Sequence, residues 1–329
     1  MVCSHTDYLS TFVEVGSIFP LEHVSADDTA TSHFTTRLKN FFNFNKFRNR
    51  QHTRPVNPGI SVGHESVSAG TIGAILTDQN GTHHILSNNH VLADTNQGKK
   101  GDKIIQPGSS DGGKEEVAKL EYFVPIVMQC SNNIKNKVDV AIAALNEQSK
   151  LNCVVPNIGE VIGINTAHIG MKVEKSGRTT GYTQGNVEAI DADLTVHYKG
   201  GQKALFSNQI KTSLMSSPGD SGSLLTSKSN NGSTEAVGLM FAGSRKNSFA
   251  NHYSDVDSIL QGNKYNTRFA KSTVNPSANL NFLYKNRTLM TRGFALSVGI
   301  GLATYAYSSI QKRPNRHEGD GSKPKPVTA

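Results

Sequence analysis

The 329-residue sequence predicts an all-β fold, a sandwich or a barrel, on three observations. Short β-rich runs recur between turn signals from Gly59 onward, glycine is frequent at 30 residues, and long stretches of helical periodicity are few. The runs are 71–77 (TIGAILT), 83–93 (HHILSNNHVLA), 137–145 (KVDVAIAAL), 171–177 (MKVEKSG), 185–198 (GNVEAIDADLTVHY), 222–227 (GSLLTS) and 236–243 (AVGLMFAG). Two of the intervening turns, Asp78–Gly81 and Asn230–Gly232, have the Asn/Asp-Gly chemistry of β-hairpins.

Composition sets the frame around these runs. With 36% hydrophobic and 18% charged residues the chain reads as a folded globular protein. Its length allows one large domain with extensions, or two smaller domains. The net charge of +8 sits in the flanks, whereas 58–264 is nearly balanced. We therefore divide the chain into an N-terminal extension (1–57), a central domain (58–264), a C-terminal segment (265–310) and a polar, Pro/Gly-rich tail (311–329) expected to be disordered.

Each flank has one distinctive stretch. Between Arg37 and Arg54 the extension is basic and free of acidic residues, and it carries Phe41, Phe42, Phe44 and Phe47. Those aromatics would point several ways on a helix, so packing on the main domain is expected. Residues 293–310 carry no charge and reach the lower length of a membrane-spanning helix, with Ala295, Gly299 and Ala303 at four-residue spacing. A buried terminal helix or strand explains the same segment, and both readings stand. Basic residues in 265–316 suit an anionic membrane surface; a solubilising role explains the remaining charge, and no specific nucleic acid partner is expected.

Cys3, Cys130 and Cys153 form an odd, sparse set that is no disulfide framework. This implies a reducing, cytoplasmic setting. The first residues lack a basic stretch and are interrupted by Asp7 and Glu14, unlike a secretory signal peptide. No phosphate-loop or dinucleotide fingerprint occurs, and His83, His84 and His90 have no Cys or carboxylate at metal-ligand spacing, so no cofactor or metal is expected.

The chemistry is concentrated in three places. In Pro218-Gly-Asp-Ser-Gly-Ser223, glycines flank Ser221 and permit a tight turn that exposes its hydroxyl. The same turn can aim the N–H groups of Gly219 and Ser221 at one point, as an oxyanion hole requires. A serine hydroxyl is a weak nucleophile without a base. His90 ends the run ILSNNH, where a strand meets a loop or short helix, and can serve as that base. Asp139 lies in the apolar run Val138–Ala143, where a carboxylate needs a partner, and His90 is a suitable one.

With these residues in the order His90, Asp139, Ser221, residues 59–262 resemble the bacterial branch of the chymotrypsin-like serine proteases. Ser176-Gly-Arg-Thr-Thr-Gly-Tyr182 with Gln184-Gly185, and Gly101–Gly108 after LSNNHVLA, add to the likeness. The resemblance implies two six-stranded antiparallel β-barrels and serine endopeptidase activity on protein or peptide substrates. It assigns nucleophile, base and orienting acid to Ser221, His90 and Asp139, and the oxyanion hole to the Gly219 and Ser221 amides. It also makes Phe241-Ala242-Gly243 the strand that pairs with the substrate backbone. Met215, six residues before the serine, stands where trypsin has an aspartate, which implies an apolar residue before the cleaved bond.

Some positions depart from the pattern. Glu174 and Gln184 stand where secreted relatives carry cysteines, the serine often found near Phe241 is missing, and no trypsin-type Ile-Val-Gly-Gly start occurs. Two other readings remain open: a catalytically silent protease fold that binds partners, and a membrane-associated interaction protein acting through 265–329. The second has a direct test. If 293–310 engages a membrane, the full chain should sediment with anionic liposomes and a version ending at Thr288 should not; both remaining in the supernatant would remove the membrane reading.

Overall fold

The computed structural model describes residues 19–20, 48–128 and 134–274. The described residues belong to one compact unit, bounded at Val274. Segment 293–310, the tail, Cys3, Cys130 and the phenylalanines of the basic stretch lie outside the described residues, and none of the described helices is long and apolar enough to cross a membrane.

A two-residue strand β1 (Phe19–Pro20) precedes the first barrel. That barrel uses β2 (Ser61–His64), β3 (Gly70–Thr71), β4 (Ala74–Thr77), β5 (His83–Ser87), β6 (Lys103–Ile105) and β7 (Glu116–Phe123). Short β8 (Lys135–Asn136) then leads to its last strand, β9 (Ala141–Leu145), and helix α1 (Asn89–Leu92) follows β5. The pairing order is β4–β5–β9–β7–β6–β2–β3. Run 71–77 was expected as one strand but is split into β3 and β4. Ile72 N donates to Ile60 O at 2.9 Å, and Gly73 N donates to Leu86 O at 2.8 Å. The segment thus bridges β2 to β5 and closes a six-stranded ring. It bends at Gly73 because a Cβ there would lie 2.4 Å from Gly222 O, on the serine turn of the second barrel.

After β10 (Val154–Val155) and β11 (Gly159–Ile164), the second barrel is formed by β12 (Lys172–Gly177), β13 (Gly181–His197), β14 (Lys203–Ser213), β15 (Leu224–Lys228), β16 (Thr234–Gly243) and β17 (Asn247–His252). The order β16–β15–β12–β13–β14–β17 is closed by pairing of β16 with β17, giving six antiparallel strands. Helix α2 (Tyr253–Gly262) follows, and β18 (Arg268–Phe269) returns to pair with β4. The packed body therefore includes residues on both sides of 58–264, among them buried Asn49, Val56 and Ala270.

Both predicted hairpin turns form. Asp78 Oδ1 accepts the Asn80 and Thr82 amides, each at 2.9 Å, and Gly81 takes φ +82°. Gly232, between β15 and β16, takes φ +84°. In run 137–145 only Ala141–Leu145 is strand. The amide of Asp139 is instead taken by Asn251 Oδ1 at 3.0 Å and its carbonyl by Asn88 Nδ2 at 2.7 Å.

The continuous apolar run around β9 reflects burial on two faces. Ala141, Ala143 and Leu145 join Ile72, Ile85, Ile104 and Leu120 inside the first barrel. Val140 and Ile142 face the other way, into a core between the barrels with Leu86, Leu224, Leu239 and Val256. Burying each such Leu or Ile contributes about 1.5–3 kcal/mol, so this shared core holds the two barrels in fixed register. Cys153 lies in the first core as a free thiol, pushed up to about 12 by burial, with nearby Glu160 adding to the effect.

Candidate active site

The strand β5 ends at Ser87, and two asparagines turn the chain into α1. Asn88 Nδ2 binds the carbonyl of Asp139, and Asn89 Nδ2 binds those of Asn96 and Val124, the former through its side chain. This fixes the four-residue helix that carries His90 and sets it beside Asp139. His90 Nδ1 and Asp139 Oδ2 are 2.5 Å apart, and the His90 amide donates to Asp139 Oδ1 at 3.3 Å. Both side chains are fully buried. A carboxylate in this setting fixes the Nδ1–H tautomer and leaves Nε2 as the basic nitrogen.

Two partners of Asp139 come from the second barrel. Tyr198 OH donates to Asp139 Oδ2 at 3.2 Å, and its ring meets that of His90 edge-on at 6.3 Å. Asn251 holds the Asp139 amide and is itself held by Gln209 Oε1 at 2.7 Å. Tyr198 therefore provides the hydroxyl whose absence near Phe241 the sequence had left open. Its role could not be read from sequence, because it lies 59 residues beyond Asp139 at the end of a long hairpin strand.

Ser221 sits on a turn clamped from both sides. Thr71 N donates to Ser221 O and Thr71 Oγ1 to Gly219 O, each at 2.8 Å, and Ser87 Oγ donates to Thr71 O at 2.7 Å. The turn is thereby tied to the strand that leads to His90. Gly70 is the contact point: an added Cβ would lie 2.5 Å from Val91 Cγ2 and 3.1 Å from Ser221 O. Gly219 and Gly222 have φ of +94° and +89°, conformations that glycine adopts without strain. Among the described hydrogen bonds, neither the Gly219 nor the Ser221 amide donates to a protein acceptor. Both remain available for an oxyanion. The Ser221 hydroxyl donates to Phe241 O at 3.3 Å, a long bond that a rotation about χ1 releases.

Asp220, between these amides, is fully buried. Its Oδ2 accepts from Lys175 Nζ at 3.1 Å, Thr180 Oγ1 at 2.6 Å and the Ser217 amide at 3.0 Å. Its Oδ1 accepts the amides of Thr179 at 2.8 Å and Thr180 at 3.1 Å. Lys175 is also fully buried, so the turn is pinned by an internal ion pair with the β12–β13 hairpin. The signal in the sequence was a lysine inside the β-run MKVEKSG; on a pleated strand it needed a buried anion if it pointed inward.

The remaining predicted positions fall as follows. Met215 is buried in the second barrel's core with Val187, Ile210, Val237 and Met240. Its amide and that of Ser216 both bind Ser248 Oγ at 3.1 Å. Phe241, Ala242 and Gly243 form the end of β16, and β1 pairs there. Glu174 and Gln184 are directly opposed in the β12–β13 ladder and are bridged by a hydroxyl: Tyr182 OH donates to Glu174 Oε2 at 2.7 Å and accepts from Gln184 Nε2 at 2.6 Å. Burial and the Glu174 carboxylate push the Tyr182 phenol up to about 12. His83 and His84 are engaged elsewhere, with Thr77 and Asp78, and no group of three or more metal-ligating side chains gathers among the described residues.

Serine protease 2 of Streptomyces fradiae is 40% identical over 85 residues, covering 26% of this chain and 44% of that protein. The chain is similar to the bacterial chymotrypsin-like serine proteases. It spans less than half the length of this curated relative. No family model matches. Similar solved structures include a Nocardiopsis protease, 21% identical, covering 66% of this chain and 100% of that one with a TM-score of 0.44. Protease A of Thermobifida fusca is 16% identical with the same coverage and a TM-score of 0.46.

Tyr198→Phe tests the assignment of the missing hydroxyl. The variant should fold normally and react with a fluorophosphonate at Ser221 about tenfold more slowly, the equivalent of roughly 1.4 kcal/mol. An unchanged labelling rate would remove Tyr198 from the site.

Proposed function

We propose that the chain is a serine endopeptidase acting through an acyl-enzyme intermediate. The observations that carry this reading are the buried His90–Asp139 pair and a serine turn whose two amides, among the described hydrogen bonds, donate to no protein acceptor. Ser221 Oγ attacks the peptide carbonyl while His90 Nε2 takes its proton. Asp139 accepts the Nδ1–H and balances the imidazolium charge. The Gly219 and Ser221 amides receive the oxyanion, and the tetrahedral intermediate collapses as His90 returns the proton to the leaving amine. Water, deprotonated in the same way, then hydrolyses the ester and frees Ser221.

The edge of β16 at Phe241–Gly243 would align the substrate backbone by strand addition. Met215 is an uncharged thioether at the position assigned to the floor of the first pocket, which favours an apolar side chain before the cleaved bond. The reaction uses no cofactor. The basic flanks would place the enzyme at an anionic surface in a reducing compartment.

Ser221→Ala and His90→Ala should each abolish fluorophosphonate labelling and nearly all peptide turnover, and Asp139→Asn should lower turnover by roughly 10⁴-fold. Equal turnover by the wild type and Ser221→Ala would leave a silent, partner-binding version of the fold.

A further inference from the structure

The Gly219 amide, proposed above as an oxyanion donor, shares one peptide plane with the Pro218 carbonyl. The bond is trans, so the two groups point in opposite directions, and whatever holds the carbonyl sets the aim of the N–H. Gly219 does not hold the plane itself. Its φ is +94°, and half a turn of the plane would carry φ to the negative side, which glycine adopts as readily. The turned-over plane would present the Pro218 oxygen where the N–H now points, and a carbonyl oxygen repels an oxyanion. A group outside the turn must therefore select one of the two planes.

Thr179 is placed to do this. Its Oγ1 donates to Pro218 O at 2.7 Å. The direction of that hydroxyl is itself fixed: Arg178 Nη1 lies 3.1 Å from the same Oγ1, and a guanidinium can only donate. The threonine's single proton is thus left for Pro218. Arg178 is held in turn by Asp111, which accepts from Nε at 2.6 Å and from Nη2 at 2.7 Å. This two-point pairing fixes the guanidinium plane, and both side chains are largely buried. Asp111 ends a short turn of the first barrel, Ser109–Asp111, and its Oδ2 also accepts from Ser61 Oγ at 2.6 Å. The series therefore runs from the first barrel through Asp111, Arg178 and Thr179 to the plane of Gly219. The approach is close, since a Cβ on Gly219 would collide with Thr179 Oγ1 and Arg178 Nη1. Asp220 grips the same residue through the Thr179 amide and not its hydroxyl, so the two devices are separable by substitution.

We propose that Thr179 is a positioning residue, whose hydroxyl holds the Pro218–Gly219 plane and so aims the Gly219 amide at the oxyanion. This rests on the protease reading above. In this role Thr179 acts through the backbone and touches no reacting atom. Without its hydroxyl the plane divides between two orientations, and only one of them stabilises the tetrahedral intermediate. Substrate binding along the β16 edge does not depend on that plane, so the loss falls on kcat and leaves KM unchanged.

The experiment compares the full chain with Thr179→Val, which keeps the shape and removes the hydroxyl, with Thr179→Ala, and with Thr179→Ser, which keeps the hydroxyl. Peptide turnover, thermal unfolding and affinity for a peptide aldehyde, which forms a tetrahedral adduct with the serine, are measured for each. Thr179→Val and Thr179→Ala should lower kcat about tenfold with KM unchanged, the scale of one hydrogen bond. Aldehyde affinity should fall by the same factor, and Thr179→Ser should regain most of both. The plane is also observable directly. Pro-Gly occurs at 58–59, 107–108 and 218–219, so isotopic labelling of proline carbonyl carbons and glycine nitrogens isolates three amide signals by magnetic resonance. The wild type should give a single Gly219 signal, and Thr179→Val a doubled or shifted one. An active wild type with equally active Thr179→Val and Thr179→Ala overturns the proposal and leaves the protease reading intact. A loss in Thr179→Ser as large as in Thr179→Val does the same, because it assigns the effect to packing of the methyl group. If the valine and alanine variants do not fold, the wild-type spectrum decides: one Gly219 signal supports the lock, and two exchanging signals overturn it. No turnover by the wild type overturns both the proposal and the protease reading.

Discussion

The backbone turn that carries Ser221 depends on one buried carboxylate, that of Asp220. Its carboxylate is fully buried and accepts from the Lys175 ammonium, the Thr180 hydroxyl and three backbone amides, those of Ser217, Thr179 and Thr180. With that set of donors a buried negative charge is tolerable; removing one member of such a pair costs about 3–5 kcal/mol. Asp220 lies between Gly219 and Ser221, the two residues whose amides are proposed to bind the oxyanion. The ion pair therefore converts the rigidity of a β-hairpin into a fixed orientation of two N–H groups. Preorganisation of this kind matters because the donors then need no rearrangement when charge develops.

The second constraint is the seam between the barrels. Thr71 receives the Ser221 backbone with its amide and the Gly219 carbonyl with its hydroxyl, and its own carbonyl is held by Ser87, three residues before His90. The proposed base, His90, from one barrel and the proposed nucleophile, Ser221, from the other are thus tied to the same strand residue. Gly70 and Gly73 permit this approach, since a side chain at either would collide with Val91 or with Gly222. Asp139 is coupled across the same seam through Tyr198 and Asn251.

Much of this was legible in the sequence because the local signals were strong. Glycines around Ser221, turn residues at Asp78–Gly81 and Asn230–Gly232, and the alternation of short β-runs each have local physical causes. Strand limits were less legible where tertiary contacts override the pattern. Run 71–77 breaks where the serine turn presses on Gly73, and run 137–145 begins as strand only after Asp139 has turned to meet His90. Lys175, Tyr198 and Asn251 escaped detection because their partners are 45, 59 and 112 residues away. The pairing of Phe19 and Pro20 with β16 could not be read from composition at all, since two residues carry no periodicity.

If the buried Lys175–Asp220 pair orients the amides around Ser221, the rate of fluorophosphonate labelling at Ser221 depends on Lys175. It should be measured with thermal unfolding for Lys175→Met and for the double variant Lys175→Met/Asp220→Asn. Lys175→Met should be less stable and should label roughly 100-fold more slowly, on the scale of losing an oxyanion donor. The double variant removes the uncompensated charge, so it should regain stability while labelling stays slow. Wild-type labelling by a folded Lys175→Met protein would show that the ion pair does not orient these amides.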